Sequence, residues 1–235
     1  MKKSEQATGA GVGVGVGAGV RVWDLPTRLF HWVLAALIGF SWWSAEEHHT
    51  DWHMWSGFAV LTLLLFRLLW GFFGSSTARF ANFVRGPRTV AGHLRDVRGW
   101  SGIGHSPIGA LSVLVLLIMV AVQVGTGLIQ TDDDGLVEGP LAPLVGFATS
   151  DAAHDIHEIT FNVLLALIAL HVGAIIFYRL VRGKKLVGPM VTGRARLEAG
   201  AEPMKAGKWW VAVICLVAAL GVTRWIVAGA PPLGG

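Results

Sequence analysis

The chain carries five apolar runs of membrane-spanning length: Thr27–Ser44, His53–Phe73, Ile108–Ile129, His157–Leu180 and Trp209–Ala230. About 20 helical residues, each rising about 1.5 Å, cross a hydrocarbon layer about 30 Å thick. Runs of this kind predict an all-α polytopic membrane helix bundle. Composition agrees, with 53% of the 235 residues hydrophobic and 14% charged, whereas a soluble domain is nearer a quarter charged. A soluble enzyme, a disordered chain and a disulfide-built secreted scaffold are excluded. The one cysteine, Cys215, lies inside the fifth run, so neither a disulfide nor a cysteine-based metal site can be built.

A net charge of +4 would suggest nucleic acid in a soluble protein, but the placement of the charges argues otherwise. Of the 19 Lys and Arg, 17 fall before the first run or in the second and fourth connections, counting Arg28 and Arg179 at the adjoining helix ends. The exceptions, Arg67 and Arg224, lie within apolar runs, and the other two connections read EEHHTD and TDDDGLVEG. By the positive-inside rule the N-terminus is cytoplasmic, the chain crosses five times and the C-terminus is outside. "Inner" and "outer" below refer to this orientation. Tryptophans mark both interfaces, with Trp42, Trp43, Trp52, Trp55 and Trp225 near the outer one and Trp23, Trp32, Trp70, Trp209 and Trp210 near the inner one.

Residues 1–20 end in GAGVGVGVGAGV, an alternation too glycine-rich for a stable strand, and are expected to form a flexible cytoplasmic tail. The connection Gly74–Pro107 is expected to be irregular with a short helix. The organisation is thus a tail over 1–20, a membrane core over 21–195, and a linker with a fifth transmembrane helix over 196–235.

Four histidines lie within or at the ends of the runs: His31, His53, His157 and His171. Ionisable groups at such depth are costly and usually functional. His157 and His171 are 14 residues apart, which places them about 40° apart around one helix and about 21 Å apart along it. Depth then matches His31 with His171 on the inner side and His53 with His157 on the outer side. Zinc wants four tetrahedral ligands, and the inner level offers no Cys, Asp or Glu. Haem iron accepts two axial histidines, and its macrocycle is itself apolar. Without a C-x-x-C-H motif such haem is b-type and held non-covalently.

The stretches VWDLPTRLFHW (22–32), HMWSGFAVLTLLLFRLLWGFFGSSTARF (53–80), GHSPIGALSVL (104–114) and TGLI (126–129), with His157, Glu158 and His171 following, resemble the bacterial cytochrome b561 family. That family is close to the cytochrome b subunits of nickel–iron hydrogenases and formate dehydrogenases. The resemblance implies a four-helix core in the bacterial plasma membrane with two b haems, moving electrons between the quinone pool and a redox partner. It carries His31 and His171 over as inner ligands, and His53 and His157 as outer ones. The partner class it implies is a periplasmic c-type cytochrome or a hydrogenase- or dehydrogenase-type enzyme. The chain is then an electron-transfer subunit rather than a stand-alone catalyst, with no catalytic residue of its own.

Other residues admit two readings. Arg67 either snorkels or pairs with an inner-haem propionate. His105 either opens the third span as an ordinary residue, contacts a propionate or quinone, or competes with His31 as ligand. His154 rivals His157, while His48 and His49 belong to the acidic outer loop. His93 is a loop histidine without a reading. Gly57, Gly125 and Gly127 suit close approach of a flat group, or ordinary helix packing. The acidic stretch Asp132–Asp134 is a solvated face or a docking surface for a basic cytochrome. Two further functions compete with electron relay: a small histidine-relay ion or metal transporter, and a self-sufficient quinone-linked oxidoreductase at the outer haem.

Overall fold

The computed structural model describes residues 19–84, 86–95, 104–132, 134–196 and 203–231. The Gly/Val tail, apart from its last two residues, and much of the linker before the fifth run lie outside the described residues. Eight α-helices are described: α1 (Leu25–Glu46), α2 (Thr50–Phe73), α3 (Phe80–Phe83), α4 (Pro87–Arg95), α5 (Pro107–Ile129), α6 (Phe147–Val181), α7 (Val187–Thr192) and α8 (Trp209–Val227). Two short strands, β1 (Val20–Arg21) and β2 (Arg194–Ala195), pair antiparallel with Val20 opposite Ala195. Val20, at the end of the segment expected to be flexible, is therefore tied to the far end of the core.

Helix boundaries follow from local chemistry. Asp24 caps α1 by accepting from Thr27 N at 2.7 Å, with Pro26 in the first turn. Ser106 caps α5 by accepting from Gly109 N at 3.1 Å, with Pro107 next. Both pairs satisfy an orphan N–H and preset helical φ. His48 occupies the left-handed region (φ 57°) and closes the tight turn between α1 and α2. The outer connection reverses through Asp132, whose carboxylate accepts from Leu136 N at 2.7 Å and Val137 N at 2.9 Å. Helix α6 begins at Phe147, ten residues before the apolar run, so part of the expected loop is helical. At about 1.5 Å per residue its 35 residues extend beyond the hydrocarbon layer. The basic connection contains α3 and α4, so it is more helical than expected.

Helix α2 is central, with α1, α5 and α8 packed around it, while α6 packs on α5. One core cluster gathers Phe30, Leu64, Phe66, Trp70, Leu117, Cys215 and Ala219 at the basic end. A second joins Val60, Val120 and Leu164, with Leu37 and Ile168 against them. Trp70 is 1% exposed and donates its Nε1–H to Asp24 at 3.1 Å, so it is a core residue rather than an interfacial anchor. The opposite surface of α6 is apolar, with Ile159, Val163, Leu170, Ile176 and Phe177 all exposed. Exposed aliphatic surface on this scale suits lipid, not water.

Helices α2, α5, α6 and α8 are each long and apolar enough to cross a membrane. Helix α1 has 22 residues, but its histidine, serines and tryptophans lower its hydropathy, and it is not one of those four. Its position beside α2 rests on packing rather than on apolarity alone. Helix α8 docks on α2, where the Thr62 and Thr223 hydroxyls hydrogen-bond at 2.9 Å.

Candidate functional site

At the acidic end, α2 and α6 bring His53 and His157 together with ring centroids 6.1 Å apart and planes at 79°. His53 Nδ1 donates to Ser41 O at 2.9 Å, with Ser41 Oγ at 3.2 Å. His157 Nδ1 donates to Gln123 O at 2.9 Å, with Thr126 Oγ1 at 3.2 Å. A carbonyl can only accept, so each Nδ1 carries the proton and each Nε2 keeps its lone pair. This is the tautomer a metal-ligating histidine needs, with orientation supplied by the neighbouring helix. A metal–imidazole bond of about 2 Å on each side, plus the half-widths of the rings, sets two imidazoles on one metal about 6 Å apart. The 6.1 Å separation fits such a pair.

Gly127 forms the wall behind one ring: a Cβ there would lie 3.0 Å from His157 Cε1. Gly57 and Gly125 face open space. Further along α5, Gln123 also accepts from Thr160 Oγ1 at 2.7 Å, which ties α5 to α6.

At the basic end, His31 lies on α1 and His171 on α6. His171 Nδ1 stands 3.5 Å from Ser112 Oγ on α5. His31 Nδ1 is buried without a protein partner. Arg67 on α2 is 2% exposed, so its guanidinium does not snorkel. It lies 4.7 Å from the centroid of Phe80 and 5.9 Å from that of Phe83, and its Nη1 is buried with no partner. A buried guanidinium with an unused donor fits an anionic group. His105 sits between the rings of Trp23 and Phe83, at 4.6 and 4.7 Å. Burial, with the Arg67 guanidinium next in weight, pushes its imidazole down to about 3.

The remaining histidines are placed elsewhere. His154 Nε2 is 3.8 Å from Glu158 Oε1, and it is His157 that meets His53. His48 and His49 are exposed at the α1–α2 turn, with His49 against Trp52 at 4.7 Å. His93 lies on α4 rather than in a loop. Sequence reasoning missed the partners of the ring nitrogens, Ser41, Ser112, Gln123 and Thr126. The available signal was that the last three are polar residues inside an apolar run, spaced 11 and 3 apart.

A membrane-embedded helix bundle with histidines paired in its core is the frame of an integral membrane protein that holds a prosthetic group between its helices. The chain belongs to the prokaryotic cytochrome b561 family, whose model matches residues 22–193. No curated protein and no solved structure matches it. Membership makes it a membrane cytochrome, and the family's activity is haem-based electron transfer across a membrane. The match ends just before β2, so α8 and the segment leading into it lie outside the family's span.

Proposed function

We propose that the chain is a respiratory electron-transfer subunit of the bacterial plasma membrane, carrying two non-covalent b haems between the quinone pool and a redox partner. The observation that carries this reading is the His53–His157 pair, 6.1 Å apart with both Nδ1 protons held by carbonyls. Among the described residues, His, Cys, Asp and Glu form no group of three or more that could hold a metal ion, and a porphyrin iron needs only the two axial ligands. His31 and His171 are assigned the inner group and His53 and His157 the outer one. Arg67, with its unused Nη1, would hold a propionate of the inner group, and His105 would contact that propionate or a quinone. Bound there, haem supplies reversible one-electron chemistry, with its potential tuned by axial ligands and burial.

The chain's own contribution is orientation and exclusion of water. Ser41, Gln123 and Thr126 hold the outer imidazoles in one tautomer, and apolar side chains of α2, α5 and α6 keep the space between the sites dry. Since His157 and His171 share α6, one rigid element sets the separation of the two sites. The partner is a periplasmic c-type cytochrome or a hydrogenase- or dehydrogenase-type enzyme, met at the acidic outer end.

The test is a haem assay on the purified full chain. Two haems per chain are expected, all extractable by acid-acetone. His157→Ala should abolish the outer low-spin signal and leave the inner one, and His171→Ala should do the reverse. One haem per chain, or two low-spin haems retained in His157→Ala, overturns the assignment.

A further inference from the structure

The segment leading into α8 lies across the basic end of the bundle as a fixed strap. Ser76 N donates to Lys205 O at 3.0 Å, and Lys205 N donates to Ser76 Oγ at 2.9 Å. Met204 N donates to Arg21 O at 3.0 Å, and Thr77 Oγ1 donates to Val22 O at 2.9 Å with the Met204 sulfur 3.7 Å away. Gly207 passes so close to Trp70 that a Cβ would stand 2.6 Å from its ring. Backbone pairing on both sides of Lys205 makes the strap part of the fold rather than a loose connection.

Between this strap and the loop after α2 lies a cavity of about 540 Å³, lined by Ser76, Thr77, Arg79, Asn82, His105 and Lys205 among others. Its charged side chains are two cations, and none of the described lining residues carries a carboxylate. Arg79 is oriented by its Nε–H, which donates to Gly74 O at 2.9 Å and leaves the terminal nitrogens for a ligand. Asn82 is held by Ser76 O at 2.7 Å. Two cations beside an amide, without a counter-charge, make an anion site.

The position of the cavity says which anion. Helix α2 ends at Phe73 and α8 begins at Trp209, so the cavity opens at the level where two spans leave the hydrocarbon. Phe72, Phe73 and Trp209 at those helix ends are 67%, 61% and 78% exposed. A cationic cavity beside exposed aromatic surface at this depth matches a lipid whose headgroup is a phosphodiester. We propose that the strap and the α2–α3 loop form a phosphate-group site, occupied by the headgroup of an anionic phospholipid, with Arg79 and Lys205 as its charged donors. Strap residues Pro203–Ala206 lie beyond the family's matched span, so this site is an addition made by the C-terminal extension. Its charged donors, Arg79 and Lys205, have no part in the electron-transfer reading, and His105 is the one lining residue that the two readings share.

The experiment uses the full-length protein in neutral detergent, doped in turn with phosphatidylglycerol, phosphatidylcholine or inorganic phosphate. Thermal unfolding is followed by tryptophan fluorescence, and haem content is measured on the same samples. Phosphatidylglycerol should raise the melting temperature by about 5 °C over phosphatidylcholine. Lys205→Gln should lose at least half of that rise, and Arg79→Gln with Lys205→Gln all of it, at unchanged haem content. Equal responses to the two lipids, or an undiminished response in Lys205→Gln, overturn the site. A full shift with inorganic phosphate alone overturns the lipid as its source. Should the double variant fail to fold, Lys205→Gln decides, because the recorded hydrogen bonds of Lys205 are those of its backbone.

Discussion

Gly127 offers the sharpest perturbation of the outer histidine pair, because it touches a ring without being a ligand. A Cβ at this position would stand 3.0 Å from Cε1 and 3.3 Å from Nδ1 of His157. Relaxed carbon contacts are about 3.5–4.0 Å, so Gly127→Ala must push the ring away by about 0.5 Å. The ring's anchors, Gln123 O at 2.9 Å and Thr126 Oγ1 at 3.2 Å, lie on the same helix as Gly127. They stay behind as the ring moves, and a hydrogen bond stretched by that amount leaves the normal range of about 2.7–3.2 Å. Loss of the bond costs about 1 kcal/mol, and overpacking costs about 1–3 kcal/mol. Alanine in place of glycine in a helix returns about 1 kcal/mol. The net is a destabilisation of about 1–3 kcal/mol, concentrated at His157. Gly125→Ala, two residues earlier and facing open space, collects the helix gain alone and should stabilise by up to about 1 kcal/mol. The assay is thermal unfolding of both variants together with the low-spin spectrum of the haem proposed between His53 and His157. Gly127→Ala should shift or weaken that spectrum, and Gly125→Ala should leave it unchanged. If the two variants behave alike, the contact between Gly127 and His157 does not govern the site.

A double-mutant cycle on Thr62→Val and Thr223→Val should return a coupling of about 0.6 kcal/mol, measured by unfolding in detergent; zero coupling would detach α8 from α2. His105 makes stability pH-dependent. Its imidazole is held at about 3 in the fold against 6.5 ordinarily, so the unfolded chain takes up a proton first as pH falls. The contribution is whole above pH 6.5 and lost on descent towards 3, so His105→Phe should flatten the melting temperature between pH 6.5 and 4. A topology reporter after Gly235 should be active outside the cytoplasm, and one within Gly183–Ala206 inside; the opposite pattern would reverse the inner and outer labels.

The apolar runs, the one-sided cations and the places of the four histidines along those runs are local or periodic features, so they were legible in the sequence. The 14-residue spacing on α6 needs only the helical repeat, and the Asp24 and Ser106 caps need only neighbouring residues. Tertiary structure decided the rest. Whether His154 or His157 faces His53 depends on the rotation of α6 against α2, which is set by side chains on α5 that share no repeat with the histidines. The identity of the acceptors, Ser41 O and Gln123 O, could not be read, because every residue has a carbonyl and only packing selects one. Trp70 looked like an interfacial anchor and is a buried partner of Asp24, a pairing across 46 residues. Arg67 is enclosed because α3 folds its phenylalanines over it, and the strap closes the basic end because Lys205 pairs with Ser76. These contacts join segments far apart in the chain, and composition and periodicity describe one segment at a time.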